Sequence, residues 1–364
     1  MKSRIVRLLR IAATCSIILG SVTILGSFAH AQVPRVTTKF KVDPYWPKTL
    51  PNDWIWGPVG GVCIDAKDHV WIVERTADIK EDAFSWRGDA YGPPVIQYDV
   101  QGNYVSSFGD PKVVPKGIHS CLFDRDGNIF ISGQDDSVVQ KYSSDGKLLM
   151  QIGEKLKFDS SDGTIKGKPL NSSHTLLNKT VGMAYDASTG DLYVGDGEGN
   201  SRVVVFDKDG KYLRQFGRLA TKEESAADAP GVFTKSVHCI AISHELVYTC
   251  DREGKRVEIF DKMGNYKSMM TLPRRRAELP GRAEIYWIAF SPDKAQKYMY
   301  VGVPEGLVWS MERETGKPIS AFGHHGTMAG QFGLHDMAVD SKGNLFIGEA
   351  GGHRVQKFTA VGKD

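Results

Sequence analysis

Three of the ten histidines in this 364-residue chain stand at one register. His119, His238 and His335 each lie five residues before the polar residue, Asp124, Ser243 or Asp340, that closes a short apolar run. The same offset counted from Asp65, Asp186 and Ser291, which close three similar runs, falls on Gly60, Val181 and Tyr286. From composition alone, three histidines in six such positions is on the order of one chance in a few thousand. Three neutral imidazoles leave a divalent cation its full charge and an open position for water or substrate. That is the pattern of a catalytic zinc rather than a closed structural one. Without a metal, the same residues would be ordinary strand-start side chains lining a wet channel. His69, His174, His244, His324, His325 and His353 share no such register and read as surface or loop residues.

A register has chemical meaning only if the fold brings equivalent positions together, and the rest of the chain indicates such a fold. The clearest repeat unit runs Val181–Asp186, Asp191–Asp196, Arg202–Asp207 and Gly210–Gly217. Each segment is a short run of β-formers closed by Asp-x-x-Gly or a similar turn, as expected of four antiparallel strands in one blade. The cadence returns at Gly60–Gly109, Ile118–Gly153, Val237–Leu272, Ile285–Gly323 and Leu334–Phe358, which makes six units. They recur roughly every 40 to 60 residues, the range of propeller blades, without the 3.6-residue period of helical solenoids. The endings Phe108-Gly109, Ile152-Gly153, Phe216-Gly217 and Phe322-Gly323 mark NHL repeats. The expected fold is therefore all-β, a six-bladed β-propeller. Alternate blades are related by about a third of a turn, so three histidines at equal depth converge on the axis. The last unit runs out after three strands, and Val36–Val42 is the free β-like segment that should supply its fourth and close the ring. Long insertions at Thr76–Tyr91, Lys157–Lys179, Arg218–Lys235 and Pro273–Glu284 would decorate this scaffold, where binding usually sits.

Residues 1–31 read as a signal peptide ahead of the propeller at 32–364. Lys2, Arg4, Arg7 and Arg10 precede the apolar stretch Ile11–Phe28, and Ala29-His30-Ala31 is a cleavage signal. Export to a periplasmic or extracellular space is expected, with no membrane association after cleavage. Removing the segment takes four of the 46 Lys and Arg and no acid, leaving 42 bases against 43 acids. A chain with no excess of base gives no reason to expect a nucleic-acid partner. Cys63, Cys121, Cys239 and Cys250 remain, a number compatible with disulfides in an oxidising compartment, and their spacing fits no Cys-x-x-Cys metal or redox site.

The stretches Gly195–Val203, Val237–Ala241 with Cys250–Arg256, and Leu334–Val339 with Leu345–Glu349 carry a further resemblance. Through their His-Asp and Asp-Arg-Glu pairs the propeller resembles the peptidyl-α-hydroxyglycine α-amidating lyases, the lyase domain of peptidylglycine α-amidating monooxygenase. The resemblance implies zinc on His119, His238 and His335. It also implies a structural calcium on the backbone carbonyls of Val62 and Cys121 and the carboxylate of Asp336, oxygen donors of the kind calcium takes. Arg75 and Arg252 match the family's two substrate-site arginines, each of which could otherwise be a surface ion pair. The implied reaction cleaves an N-acyl-α-hydroxyglycine, at the end of a peptide or a small molecule, into an amide and glyoxylate. Where the family has its catalytic tyrosine this chain has Glu198. With ordinary pKa values of about 4.3 for glutamate and about 10 for tyrosine, Glu198 is the weaker base of the two. Cys250 lies near one of the family's paired cysteines, but the other has no counterpart.

The expected function is thus a zinc-dependent carbon–nitrogen lyase, working as a monomer. Two alternatives stay open at this stage. The same metal centre could activate water in a lactonase-like hydrolase, or the chain could be a non-catalytic exported binding propeller, since fold alone does not separate these.

Overall fold

The computed structural model of the chain describes residues 40–76, 90–159, 171–274 and 281–361. The proposed signal peptide and residues 32–39 lie outside them. Six four-stranded antiparallel sheets follow one another along the chain, as the repeat requires. Their innermost strands are Val59–Ile64, Ile118–Phe123, Thr180–Tyr185, Val237–Ser243, Trp287–Phe290 and Asp336–Val339. Each of these neighbours the next, and the sixth returns to the first, so the blades close a ring around a central channel.

Local chemistry sets each blade. Val, Ile, Phe and Tyr alternate along the second and third strands, and both faces of these strands are buried between adjacent blades. The turn acids act through their carboxylates: Asp124 accepts the N–H groups of Asp126 and Asn128 at 2.9 and 2.8 Å, and Asp207 does the same for Asp209 and Lys211 at 2.9 Å each. Gly210 completes that turn at φ 78°, a conformation an L side chain rarely adopts.

The ring closes as expected. Phe40–Asp43 forms the outer strand of the sixth blade, antiparallel to Arg354–Ala360, with Phe40 opposite Ala360 and Asp43 opposite Lys357. Phe40 is buried and packs on Phe322 and Tyr300 of the fifth blade, at ring distances of 4.8 and 5.5 Å. The earlier part of the expected segment, Val36–Lys39, lies outside the described residues.

Two features were not anticipated. Trp54–Ile55 pairs in parallel with Ala90–Tyr91 beside the first blade. The insertion between the third and fourth blades carries the short helix Lys222–Ala226, opened by a capping box in which the Thr221 hydroxyl and the Glu224 carboxylate each accept the other residue's backbone N–H.

The cysteines, whose pairing the sequence left open, form two disulfides. Cys63–Cys121 ties the innermost strands of the first two blades, and Cys239–Cys250 joins the first two strands of the fourth.

Candidate metal centre

The innermost strands do not run straight through the register of interest. Their pairing shifts between Val59 and Gly61, Ile118 and Ser120, Thr180 and Met183, and Val237 and Ile240. The positions so bracketed include Gly60, His119, Val181 and His238. An irregularity of this kind turns a residue out of the ladder and re-aims its side chain, here toward the axis. In the last two blades Tyr286 and His335 sit immediately before the first paired residue.

His119, His238 and His335 meet there, with one ligand atom from each lying within 4.8 Å of the others. Their ring centroids are 4.6 to 5.8 Å apart. Among the described residues this is the one cluster of at least three His, Cys, Asp or Glu side chains fit to hold an ion. Burial holds all three imidazoles below their usual pKa, His238 down to about 4, and neighbouring arginines add to the effect. They are therefore neutral, the form that ligates. His238 donates from Nδ1 to the carbonyl of Tyr286 at 3.0 Å, which fixes its ring and leaves Nε2 as the lone-pair donor. His119 Nδ1 is buried without a hydrogen-bond partner. Neutral nitrogen donors, a fixed ring and an orphaned buried nitrogen together suit a zinc-like ion.

A second ring of residues surrounds the histidines, at the position that follows the second strand of each blade. These are Arg75, Gln134, Gly197, Arg252, Pro304 and Ala350, in blade order. In the third and fourth blades the strand end is pinned by a fully buried ion pair, Asp196–Arg202 at 2.8 Å and Asp251–Arg256 at 2.9 Å. In the sixth, Glu349 and Arg354 stand 2.6 Å apart. Backbone bonds then tie this ring to the entrance of the innermost strand: Arg75 N–H to Pro58 O, Gln134 to Gly117, Glu198 to Lys179 and Arg252 to Ser236.

The structure brings Arg75, Glu198 and Arg252 to the rim of the histidine cluster. Arg75 donates from Nε to Ile118 O at 2.8 Å and from Nη2 to His335 Nε2 at 3.2 Å. The Arg252 guanidinium is engaged by acids: Nη1 donates to Glu198 Oε1 at 2.5 Å, and Nε and Nη2 donate to Glu253 Oε1 at 3.1 and 2.9 Å. It also lies 5.8 Å from the Tyr286 ring centroid. Burial pushes the Glu253 carboxyl up, but Arg252 and the Ser236 N–H outweigh it and hold the group below its usual pKa. Gln134 donates to the other oxygen of Glu198. Ser236, Glu253, Arg252, Glu198 and Gln134 thus form a continuous polar arc over blades four, three and two.

Tyr286 was visible at the histidine register but not counted as a site residue. Its ring lies 4.8 Å from that of His238, and burial raises its pKa. Gln134, Ser236 and Glu253 were missed. The signal that could have found Gln134 is the register after the second strand, which Arg75 and Arg252 already occupied, and Glu253 is the next residue after Arg252.

The residues matched to calcium lie deeper. Asp336 is fully buried, desolvation holds its carboxyl well above the usual range, and Oδ2 accepts the Val62 N–H at 3.2 Å. A Cβ on Gly61 would fall 2.9 Å from that oxygen and 3.0 Å from Cys121 N, so only glycine leaves the carboxylate its place. Val62, Cys121 and Asp336 are therefore neighbours. The contacts that hold the Asp336 carboxylate are backbone N–H groups, of Val62 and Met337, so it is the one calcium-type oxygen donor whose place here is shown, against the six to eight oxygens that ion takes.

With fold and site in view, the class is a six-bladed β-propeller, and the NHL repeat family model matches residues 177–206, in the third blade. The chain is 24% identical over 339 residues to human NHL repeat-containing protein 3, covering 88% of this chain and 84% of that protein. It is 26% identical over 329 residues to rat peptidylglycine alpha-amidating monooxygenase, covering 84% of this chain but only 31% of that protein's length. Drosophila melanogaster peptidyl-alpha-hydroxyglycine alpha-amidating lyase 1 is 25% identical, over 66% of this chain and 44% of its own length. Among solved structures, virginiamycin B lyase from Staphylococcus aureus with quinupristin shares the fold, at a TM-score of 0.53 and 12% identity over 88% of this chain and 89% of that one.

Proposed function

We propose that this chain is a zinc-dependent lyase that cleaves an N-acyl-α-hydroxyglycine into an amide and glyoxylate. The observation that carries the reading is the meeting of three neutral imidazoles from alternate blades, with Arg75 3.2 Å from one of them and the Glu198–Arg252 pair on the same rim. His119, His238 and His335 would hold the ion, whose chemistry is to polarise the substrate hydroxyl and make its proton easier to remove.

The chain's own residues divide the remaining work. Arg75 donates into the His335 Nε2 lone pair. Arg75 would also be the residue to grip the substrate carboxylate, for which a guanidinium is suited through two parallel bonds. Glu198 is the acid–base residue. Arg252 and Gln134 each hold one of its oxygens, so it is oriented without rotating. It takes the hydroxyl proton as the carbon–oxygen bond becomes the aldehyde of glyoxylate, and returns a proton to the amide nitrogen as the carbon–nitrogen bond breaks. Arg252, saturated by Glu198 and Glu253, acts as a positioning residue. Asp336 with the carbonyls of Val62 and Cys121 would hold a structural calcium. The two disulfides support export to an oxidising space.

One observation favours a second reading. A carboxylate rather than a phenol beside the centre could equally activate water, as in a lactonase-like hydrolase. Zinc content of the purified protein and glyoxylate release from α-hydroxyhippurate test the proposal together. His238→Ala should lose the metal and at least ~100-fold in glyoxylate release. Retention of both by the variant refutes the site, and turnover of simple lactones without glyoxylate favours the hydrolase.

A further inference from the structure

The ring that surrounds the histidines is closed on four blades and open on two. Blades one, two and four present Arg75, Gln134 and Arg252 there and blade three Gly197, with Glu198 and Glu253 one residue further on, and these polar side chains are engaged with one another or with the histidine cluster. At the same position blades five and six present Pro304 and Ala350, which carry no hydrogen-bonding side chain and reach only a few atoms from the backbone. Glu305, the next residue along, is drawn toward Arg274, 3.3 Å away.

Three further observations agree. Gly333, two residues before His335 at the blade-six entrance, has room for a side chain: a Cβ there would meet nothing nearer than His325 Nε2 at 3.5 Å. His335 is the one ligand of the three that is partly exposed, whereas His119 and His238 are 2% and 1% exposed. The half-buried Tyr286 ring stands against His238 on the blade-five side. Among the described residues, the side of the centre with fewest polar side chains is therefore that of blades five and six. The described residues there are an aromatic ring, a proline, an alanine and a glycine gap.

Resting on the lyase reading, we propose that the acyl group of the substrate leaves the centre through this opening, over Tyr286, Pro304, Gly333 and Ala350. The opening selects bulky, uncharged acyl groups such as an aromatic acyl over a small one, and Gly333 is a specificity-determining residue. An apolar surface rewards the larger acyl group by burying it, and nothing at the glycine gap excludes it.

Binding can be measured without turnover, using unreactive N-acylglycines that lack the hydroxyl. Calorimetric titration of the purified metal-containing protein with hippurate and with N-acetylglycine should show hippurate binding about tenfold more tightly. Gly333→Leu fills the gap and should bring that ratio toward one. Should this variant fail to fold, Ala350→Leu makes the same demand from the neighbouring strand end of the sixth blade. Equal affinity for the two ligands in the unmodified protein overturns the proposal, as does absence of binding by either or an unchanged ratio in the folded variants. The lyase reading fails separately: an intact preference for hippurate with no glyoxylate from α-hydroxyhippurate would retain the opening and discard the chemistry.

Discussion

Glu258 offers a test of the blade-four architecture whose size can be worked from the structure. Its side chain is fully buried on the third strand, and Oε2 accepts the Gly231 N–H at 3.2 Å. Arg256 Nε lies 3.0 Å from Oε1, yet its directed hydrogen bond goes to Asp251 at 2.9 Å, so Glu258 receives attraction without a shared proton. Asp251 and Asp228 face the same arginine, Arg282 pairs with Asp228 at 2.7 Å, and Tyr266 lies close by. Burial wins over Arg256 and pushes the Glu258 pKa from 4.5 up to about 7. Between those two values the folded state keeps a proton that the unfolded chain has released, so stability falls as pH rises through the window. Below 4.5 the penalty is absent, and above 7 it is complete. At about 1.4 kcal/mol per pH unit the span is worth about 3 kcal/mol. Glu258→Gln keeps an acceptor for Gly231 and cannot ionise, so relative to the parent it should gain about 3 kcal/mol between pH 4.5 and pH 8. Urea unfolding of both proteins at half-unit pH steps measures this directly. Parallel stability curves across the window would show that Glu258 is not desolvated as described.

Two further perturbations address the site and the closure. Glu198→Gln retains the Gln134 and Arg252 neighbourhood but cannot take a proton, so it should reduce glyoxylate release by about 100-fold or more with zinc content unchanged; loss of metal would instead assign Glu198 to the ion. Phe40→Ala empties a buried site between the fifth and sixth blades and should cost about 3 kcal/mol or more in urea unfolding, whereas an unchanged midpoint would mean that the closing strand adds nothing to the ring.

The fold was legible because its signals are local. Alternating β-formers, Asp-x-x-Gly turns and a recurring four-segment unit need no knowledge of distant contacts. The histidine cluster was legible for a related reason: a closed ring converts equal register in the sequence into convergence in space. What escaped depends on choices between side chains far apart in the chain. Glu198 is 54 residues from Arg252 and 64 from Gln134, and nothing in the sequence says that Arg252 would turn to two glutamates. Cys63 and Cys121 are 58 residues apart, and the number of cysteines did not fix their pairing.

The rim residues are held in two different ways, by buried acid–arginine pairs in the third and fourth blades and by other contacts in the first. Asp196 and Asp251 are desolvated enough that their carboxyls lie above the usual range, an unfavourable placement offset by Arg202 and Arg256. What the arrangement supplies is a rigid strand end, and the residues just beyond those ends are Glu198 and Arg252, whose mutual bond requires both to be held still. In the first blade the equivalent acid, Glu74, has no arginine partner among the described residues: its pKa is raised by burial, and Oε1 has no hydrogen-bond partner among them. Arg75 follows it and is held instead by its own contacts to Pro58, Ile118 and His335. An ion held by His335 through that nitrogen would compete with this one contact, while the bonds to Pro58 and Ile118 would still hold Arg75 in place. The first blade thus fixes its rim residue through backbone carbonyls of its neighbours, where the third and fourth use buried ion pairs.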